Sequence, residues 1–174
     1  MNLYLMRHGI AVERNDPSAV DDDRRPLSPK GEKRTRKIAK GIQRLDIPFD
    51  VLLTSPLARA RQTVDIVAAA LGAETRVEEL DSLKPNSDFE QLIADLTRFQ
   101  ERKHILLVSH EPFLSEVLSS LEVGQGGSHL HVEFKKGALC RTEIDSLSPP
   151  HPATLHWFLT PKQLRLLGKQ SRVC

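Results

Sequence analysis

The chain has little of what would mark it as secreted, membrane-bound or metal-dependent. Its 174 residues include two cysteines, Cys140 and Cys174. Two cysteines build neither a disulfide framework nor a four-cysteine zinc site, and a reducing cytosol suits them. Tryptophan and tyrosine occur once each, too few to stack the bases of a single-stranded nucleic acid. Neither sign of charge dominates. With 25 Lys+Arg against 23 Asp+Glu the formal charge is +2, so charge alone does not argue for a nucleic-acid partner. No apolar run approaches the roughly 18 residues of a membrane helix. The opening run Met1–Arg7 meets a charge too early for a signal peptide. The expectation is a cytoplasmic protein that engages neither membrane nor nucleic acid.

What is present can fold. Hydrophobic residues make up 39% and charged residues 28%, which supports a core and excludes compositional disorder. A chain of this length buries roughly 70% of its unfolded surface, so no disulfide or metal is needed to hold it. We expect one domain over residues 1–174, with no internal repeat. Short runs at Asn2–Met6, Asp50–Thr54 and His104–Ser109 read as strands, the last continuously apolar, as central strands covered on both faces are. Helical faces lie between them: Leu57, Ala60, Val64, Val67 and Leu71; Phe89, Leu92, Ile93, Leu96 and Phe99; Phe113, Leu114, Val117, Leu118 and Leu121. Ser28-Pro29 and Ser55-Pro56 read as helix starts with serine as cap and proline at the first helical position. Thr160-Pro161-Lys162-Gln163 reads as a capping box. Leu130, Val132 and Phe134 alternate with polar neighbours as in a strand. Lys135-Lys136-Gly137 turns into a strand from Ala138 to Ile144, and Ala153–Leu159 is a last strand. Glu13–Arg25 and Asp145–Pro152 read as mobile loops. The pattern predicts an α/β three-layer sandwich, with a mostly parallel central sheet, antiparallel edge strands and helices on both faces.

Four segments fall at strand ends, where open α/β sheets place their ligand sites. Leu5-Met6-Arg7-His8-Gly9 sets a cation and an imidazole at a turn whose glycine lets backbone come close to a ligand. Thr54-Ser55-Pro56-Leu57-Ala58-Arg59-Ala60-Arg61-Gln62-Thr63 aims a helix start at a strand end, an anion site with an arginine one turn in. Ser109-His110-Glu111-Pro112 follows the most apolar strand, and Arg24-Arg25-Pro26-Leu27-Ser28 leads into the first helix. Each alone has a plainer reading: a surface histidine in a turn, a capping serine, solvated arginines (Arg61 above all), a satisfied buried histidine. A serine-hydrolase reading of Ser109-His110 lacks the Gly-x-Ser-x-Gly elbow. Taken together, Arg7, Arg59 and two imidazoles form an electropositive pocket without a carboxylate ladder, which suits a phosphoryl group rather than a metal.

The ordered set Arg7-His8-Gly9, Ser55 to Thr63 and Ser109-His110 resembles the histidine phosphatase superfamily, the phosphoglycerate-mutase-like enzymes, from residue 3 to about 120. Short length, Arg25-Pro26-Leu27-Ser28 and Leu83-Lys84-Pro85 resemble the small phosphohistidine phosphatases of the SixA type within it. The resemblance implies that His8 is the transiently phosphorylated nucleophile. It implies that Arg7 and Arg59 clamp the phosphoryl oxygens, that His110 completes the pocket, and that Arg25 lies near the bound phosphate. The implied function is metal-independent hydrolysis of phosphohistidine on a signalling phosphotransfer protein, with no cofactor, through a phosphohistidine enzyme intermediate. Phosphate or another oxyanion would occupy the pocket. The chemistry agrees, since phosphoryl transfer needs positioning and charge stabilisation and neutral imidazole is a competent nucleophile near neutral pH.

One departure from many relatives is the segment Glu78-Glu79-Leu80-Asp81-Ser82-Leu83, which has acids but not their general-acid pattern. Glu79 and Asp81 are the candidate general acids; their plainer reading is solvated strand-end carboxylates. A phosphoimidazole leaving group needs less protonation help than an alkoxide. Arg24–Arg44 holds nine Lys/Arg and one acid, Glu32. It reads as the solvated face of a helix with Ile38, Ile42 and Leu45 inward, or as a docking surface for an acidic phosphoprotein. Asp21-Asp22-Asp23 would neutralise its end. His129, His131, His151 and His156 read as structural or surface residues, without metal-ligand spacing. The alternative functions are a phosphatase or mutase on small sugar phosphates, disfavoured by short connections that leave little room for a lid, and a phosphoprotein-binding module without turnover.

Overall fold

The computed structural model describes residues 1–16, 21–123, 130, 132–148 and 153–169. Its centre is a six-stranded sheet. Strands β1 (Asn2–Arg7), β2 (Val51–Thr54), β3 (Val77–Glu79) and β4 (His104–Ser109) run parallel. β5 (Leu139–Ile144) runs antiparallel to β1, and β6 (Ala153–Leu159) antiparallel to β5. The order across the sheet is β3-β2-β4-β1-β5-β6.

Side chains alternate between two apolar layers, because successive residues of a strand point to opposite faces. Tyr4, Met6, Leu52, Leu106 and Val108 pack with Ile38 and Ile42 of α1 (Pro29–Arg44), Val64 and Val67 of α2 (Ala58–Leu71), and Leu164 of α5 (Pro161–Leu167). Leu3, Leu5, Leu53, Ile105 and Leu107 pack with Leu92 and Leu96 of α3 (Phe89–Leu96), and with Leu114, Val117 and Leu118 of α4 (Phe113–Val123). Burial on both faces is why these strands read as unbroken apolar runs. The architecture is the predicted three-layer sandwich with a mostly parallel centre.

Local signals mostly act as read. The Ser28 side chain accepts from Gly31 N with Pro29 in the first turn, and Thr160 and Gln163 form a complete capping box. α1 buries Ile38 and Ile42, half-buries Leu45 and turns Lys33, Arg36, Lys37 and Lys40 to solvent.

Several expectations need correction. Ser55-Pro56 does not start α2, whose cap is Leu57; the Ser55 hydroxyl accepts from Leu57 N at 3.3 Å and lies 2.8 Å from His110 Nε2. The stretch 132–135 is not a strand. Ser115 Oγ donates to Val132 O at 2.6 Å and Phe134 N donates to Glu111 Oε1 at 2.8 Å, so side chains of the β4–α4 turn and the first turn of α4 take the place of a neighbouring strand. The helical face ending at Phe99 tightens into a 3₁₀ turn over Thr97–Phe99. No apolar run marks β3, whose one apolar residue is Val77; it carries Glu79 at its end, as the strand-end reading of that acid expects. Of the loop Glu13–Arg25, the part from Asp21 onward is anchored rather than loose: Ala58 N donates to Asp23 O at 2.9 Å. His129, His131 and His151 lie outside the described residues, as does Cys174. His156 sits on β6 against Glu143 at 2.8 Å.

Candidate active site

The C-terminal ends of β1, β4 and β2 converge and carry the candidate residues. Parallel register sets Arg7 opposite Ser109. His8 N then donates to Ser109 O at 3.1 Å, which brings the next residues, His8 and His110, side by side with ring centroids 4.9 Å apart. Both imidazoles are buried. Ser109 is no nucleophile in this arrangement, since its hydroxyl is buried and donates to Leu83 O at 2.7 Å.

Gly9 ties this turn to α2. Its N–H donates to Thr63 Oγ1 at 2.9 Å, and Thr63 Oγ1 donates to Arg59 O at 2.6 Å. A Cβ on Gly9 would collide with Thr35 Oγ1, so glycine is what lets the turn lie against α1 and α2. Arg59 is thereby placed on the inner face of α2, its side chain 4% exposed. Arg61, two residues on, is rotated by about 200°; it is 42% exposed and pairs with Asp65 and Glu79, each at 2.9 Å. Arg7 is aimed by its NH1 donating to Phe134 O at 2.6 Å. Phe134 is itself held by the Glu111 carboxylate, which also accepts from Ser115 N at 3.1 Å.

Burial lowers the His8 imidazole well below its ordinary value, and neighbouring His110, Arg59 and Arg7 push the same way against the Gly9 carbonyl. His110 is pushed down to about 3, by burial first and then by the Arg59 guanidinium. Both rings are therefore neutral near pH 7. His8 Nδ1 lies 2.7 Å from Gly9 O. A carbonyl only accepts, so Nδ1 carries the proton and Nε2 the free lone pair.

Among the described residues, five buried side-chain polar atoms have no hydrogen-bond partner: Nε of Arg7, Arg25 and Arg59, Nδ1 of His110, and Ser82 Oγ. Unpaired buried polar atoms are rare and ask for a reason. Four of these five belong to residues that the sequence singles out for one oxyanion.

Asp22 enters this group unannounced. Its carboxylate lies 3.1 Å from Arg59 NH2 and 3.1 Å from Arg25 NH2, while its backbone carbonyl accepts from Arg59 NH1 at 2.6 Å. Burial raises the Asp22 carboxyl, but Arg59, Arg25 and Arg14 outweigh it and hold it below its ordinary value. Asp22 thus does more than neutralise the start of a basic stretch, and it joins Arg25 to the pocket through a shared carboxylate. Sequence reasoning missed Asp22, Thr63 and Glu111. The acid run before Arg24-Arg25 was the one available hint, and its partner Arg59 is 37 positions away. Glu79 and Asp81 are placed outward: Glu79 is bound to Arg61, and Asp81, 83% exposed, to Lys84 at 2.7 Å. Among the described residues no three His, Cys, Asp or Glu side chains are grouped to hold a metal. Cys140 is buried in the core and its thiol is pushed up to about 12 by that burial, so it is inert.

Fold and pocket together define an α/β protein with a buried imidazole–guanidinium site at the ends of its parallel strands. The sequence model of the histidine phosphatase superfamily (branch 1) matches residues 3–84, a stretch that contains Arg7, His8, Arg25 and Arg59. The chain belongs to that superfamily. It is 41% identical over 136 residues to an uncharacterised protein of Picosynechococcus, covering 76% of this chain and 80% of the other. It is 26% identical over 168 residues to the phosphohistidine phosphatase SixA of Escherichia coli, covering 95% of this chain and 98% of that one. Among solved structures, the protein histidine phosphatase SixA complexed with tungstate superimposes with a TM-score of 0.80 at 27% identity, over 94% of this chain and 99% of that one. No helix among the described residues is long and apolar enough to cross a membrane.

Proposed function

We propose that this protein is a phosphohistidine phosphatase whose nucleophile is His8 and whose substrate is a phosphotransfer protein in a signalling system. The observation that carries the reading is the cluster of buried, unpartnered nitrogens, guanidinium donors of Arg7, Arg25 and Arg59 with His110 Nδ1, around a neutral His8. Fixed donors with nothing to bind inside the protein match the oxygens of a transferring phosphoryl group. Similarity to SixA along nearly the whole chain supports the substrate class.

His8 Nε2 attacks phosphorus in line with the phosphorus–nitrogen bond of the substrate. That bond breaks as a new one forms to His8; the departing imidazole takes up a proton from solvent, and His8 keeps its Nδ1 proton, so the phosphorylated ring is cationic. Water then attacks the phosphorylated His8, releasing inorganic phosphate and restoring the ring. The first step exchanges one P–N bond for another and is nearly isoenergetic. It leans little on a general acid, in keeping with the outward positions of Glu79 and Asp81. Arg7, Arg59 and His110 hold the equatorial oxygens, with Arg25 beside them. Ser55, 2.8 Å from His110 Nε2, fixes that ring.

The test is a substrate panel: a phosphohistidine-bearing phosphotransfer domain against phosphoserine, phosphotyrosine and sugar phosphates, each with and without chelator. The phosphohistidine substrate is expected to turn over fastest, with chelator making no difference. Faster turnover of sugar phosphates, or rescue of a chelated enzyme by magnesium or zinc, contradicts the reading.

A further inference from the structure

A second basic feature lies beside the pocket. A cleft of about 520 Å³ is lined by Arg7, Arg34, Lys135, Lys136, Lys162 and Arg165. Three separate parts of the chain build it. α1 supplies Arg34, the turn before β5 supplies the two lysines, and α5 supplies Lys162 and Arg165, whose i, i+3 spacing puts them on one side of the helix. Close backbone packing sets these parts: a Cβ on Gly41 of α1 would collide with Leu164 O of α5. Gly137 N donates to Arg7 O at 3.0 Å, so the turn that bears Lys136 is fastened to the residue that ends β1.

Arg7 belongs to both places. It lines the cleft and also contributes to lowering the His8 imidazole, so a ligand in the cleft reaches the edge of the pocket.

The charges are left over from folding. Elsewhere some cations are paired, Arg36 with Glu32, Arg61 with Asp65 and Glu79, Lys84 with Asp81, and others, such as Lys33, Lys37 and Lys40 of α1, stand in solvent. Among the described residues, none of Arg34, Lys135, Lys136, Lys162 and Arg165 forms an ion pair. Glu133 is the one acid in the lining. Unpaired like charges brought together repel, a cost that folding alone does not require. The lining also includes Ile10 and Pro161, so the cleft offers apolar contact among its charges, as a polypeptide partner needs.

We infer that this cleft docks an acidic segment of the phosphoprotein substrate and so presents its phosphohistidine to His8. The inference rests on the phosphohistidine reading above. The expected occupant is a run of Asp and Glu side chains next to the modified histidine. Solvent-exposed charges of this kind act mainly on encounter and on salt dependence.

The experiment compares the wild type with the triple variant Lys135→Ala, Lys136→Ala, Lys162→Ala, none of which belongs to the proposed catalytic set. Two substrates are used: a phosphotransfer domain with an acidic surface around its phosphohistidine, and free N-phosphohistidine. The variant is expected to lose about tenfold in kcat/KM on the protein at low salt, with kcat unchanged and free phosphohistidine hydrolysed as by wild type, which also shows that it folds. Added salt should shrink the difference. A fluorescein-labelled peptide of ten Asp and Glu residues, binding wild type at least tenfold more tightly than the variant, reads the cleft without turnover. Equal kcat/KM on the protein with equal peptide binding overturns the inference. So does a cleft that binds inorganic tripolyphosphate and ignores the peptide. If the wild type hydrolyses neither phosphohistidine substrate, the enzymatic reading has failed, and the peptide arm decides the cleft by itself.

Discussion

The two ends of the central sheet are built from the same strands and treat polar groups in opposite ways. At the N-terminal end they are paired with one another. The Asp50 carboxylate accepts from Lys103 N at 2.7 Å and from His104 N at 2.9 Å, and Tyr4 Oη meets His104 Nδ1 at 2.9 Å. Asn2 Oδ1 accepts from Arg141 Nε at 2.8 Å. At the C-terminal end, four buried guanidinium and imidazole nitrogens have no partner, and two imidazoles are held neutral by burial beside arginines. One end spends its polar atoms on the fold; the other leaves several unpaired, at a cost in stability that the apolar layers offset. Local rules of protein architecture tend to be broken where function sits.

This contrast can be broken by substitution. The largest effect is expected for Arg59→Ala, which should cost on the order of 10²–10³ in kcat by analogy with removing one preorganised oxyanion donor. Arg61→Ala, on the outer face of the same helix, should stay near wild type. Equal losses in steady-state assays would mean that the pocket is misplaced.

The next effect is on stability against pH. His110 titrates at about 3 when folded and near 6.5 when unfolded. Above pH 6.5 it is neutral in both states and nothing is lost. As pH falls from 6.5 towards 3, the unfolded chain takes up a proton that the folded chain refuses. Stability then drops by on the order of 1 kcal/mol per pH unit, and the buried His8 adds in the same direction. Denaturant titrations between pH 6.5 and 5 should show this slope, and His110→Asn should reduce it to the part that His8 contributes.

Asp50→Ala probes the paired end. It removes a carboxylate that accepts two backbone N–H groups and should cost about 1–2 kcal/mol of stability while leaving kcat unchanged. A large loss of activity without loss of stability would erase the distinction between the two ends.

The smallest effect is expected at Asp22. Its carboxylate occupies Arg59 and Arg25 and would compete with an oxyanion for them. Asp22→Asn should tighten tungstate inhibition by about two- to fivefold, the scale of a partly exposed ion pair. Weaker inhibition would mean that Asp22 helps to hold the arginines for the ligand.

Much of this was legible in the sequence. The strands β1, β2 and β4 announce themselves as apolar runs because both faces are covered, and α1 and α5 by their Ser-Pro and Thr-Pro starts. Arg7, His8, Arg59 and His110 stand at strand ends in a set order, so the neighbourhood that the structure gives them follows from parallel register. Partners chosen in three dimensions were not legible. Ser55 keeps a local bond from Leu57 N but is not the cap of α2, and it meets His110 from 55 positions away. The segment around Val132 and Phe134 alternates like a strand, yet its backbone is satisfied by Ser115 and Glu111. Asp22 finds Arg59 only after the loop folds back. β3 is too short, at three residues, to leave a periodic signal.

The central claim is that a neutral, buried His8 takes the phosphoryl group onto Nε2. It is tested most directly by rapid quenching of the enzyme with ³²P-labelled phosphohistidine substrate in the presence of chelator, followed by peptide mapping. The label should fall on the peptide containing His8, be stable to alkali and labile to acid, and vanish together with turnover in His8→Ala. Label on another residue, or full turnover by His8→Ala, would contradict the account.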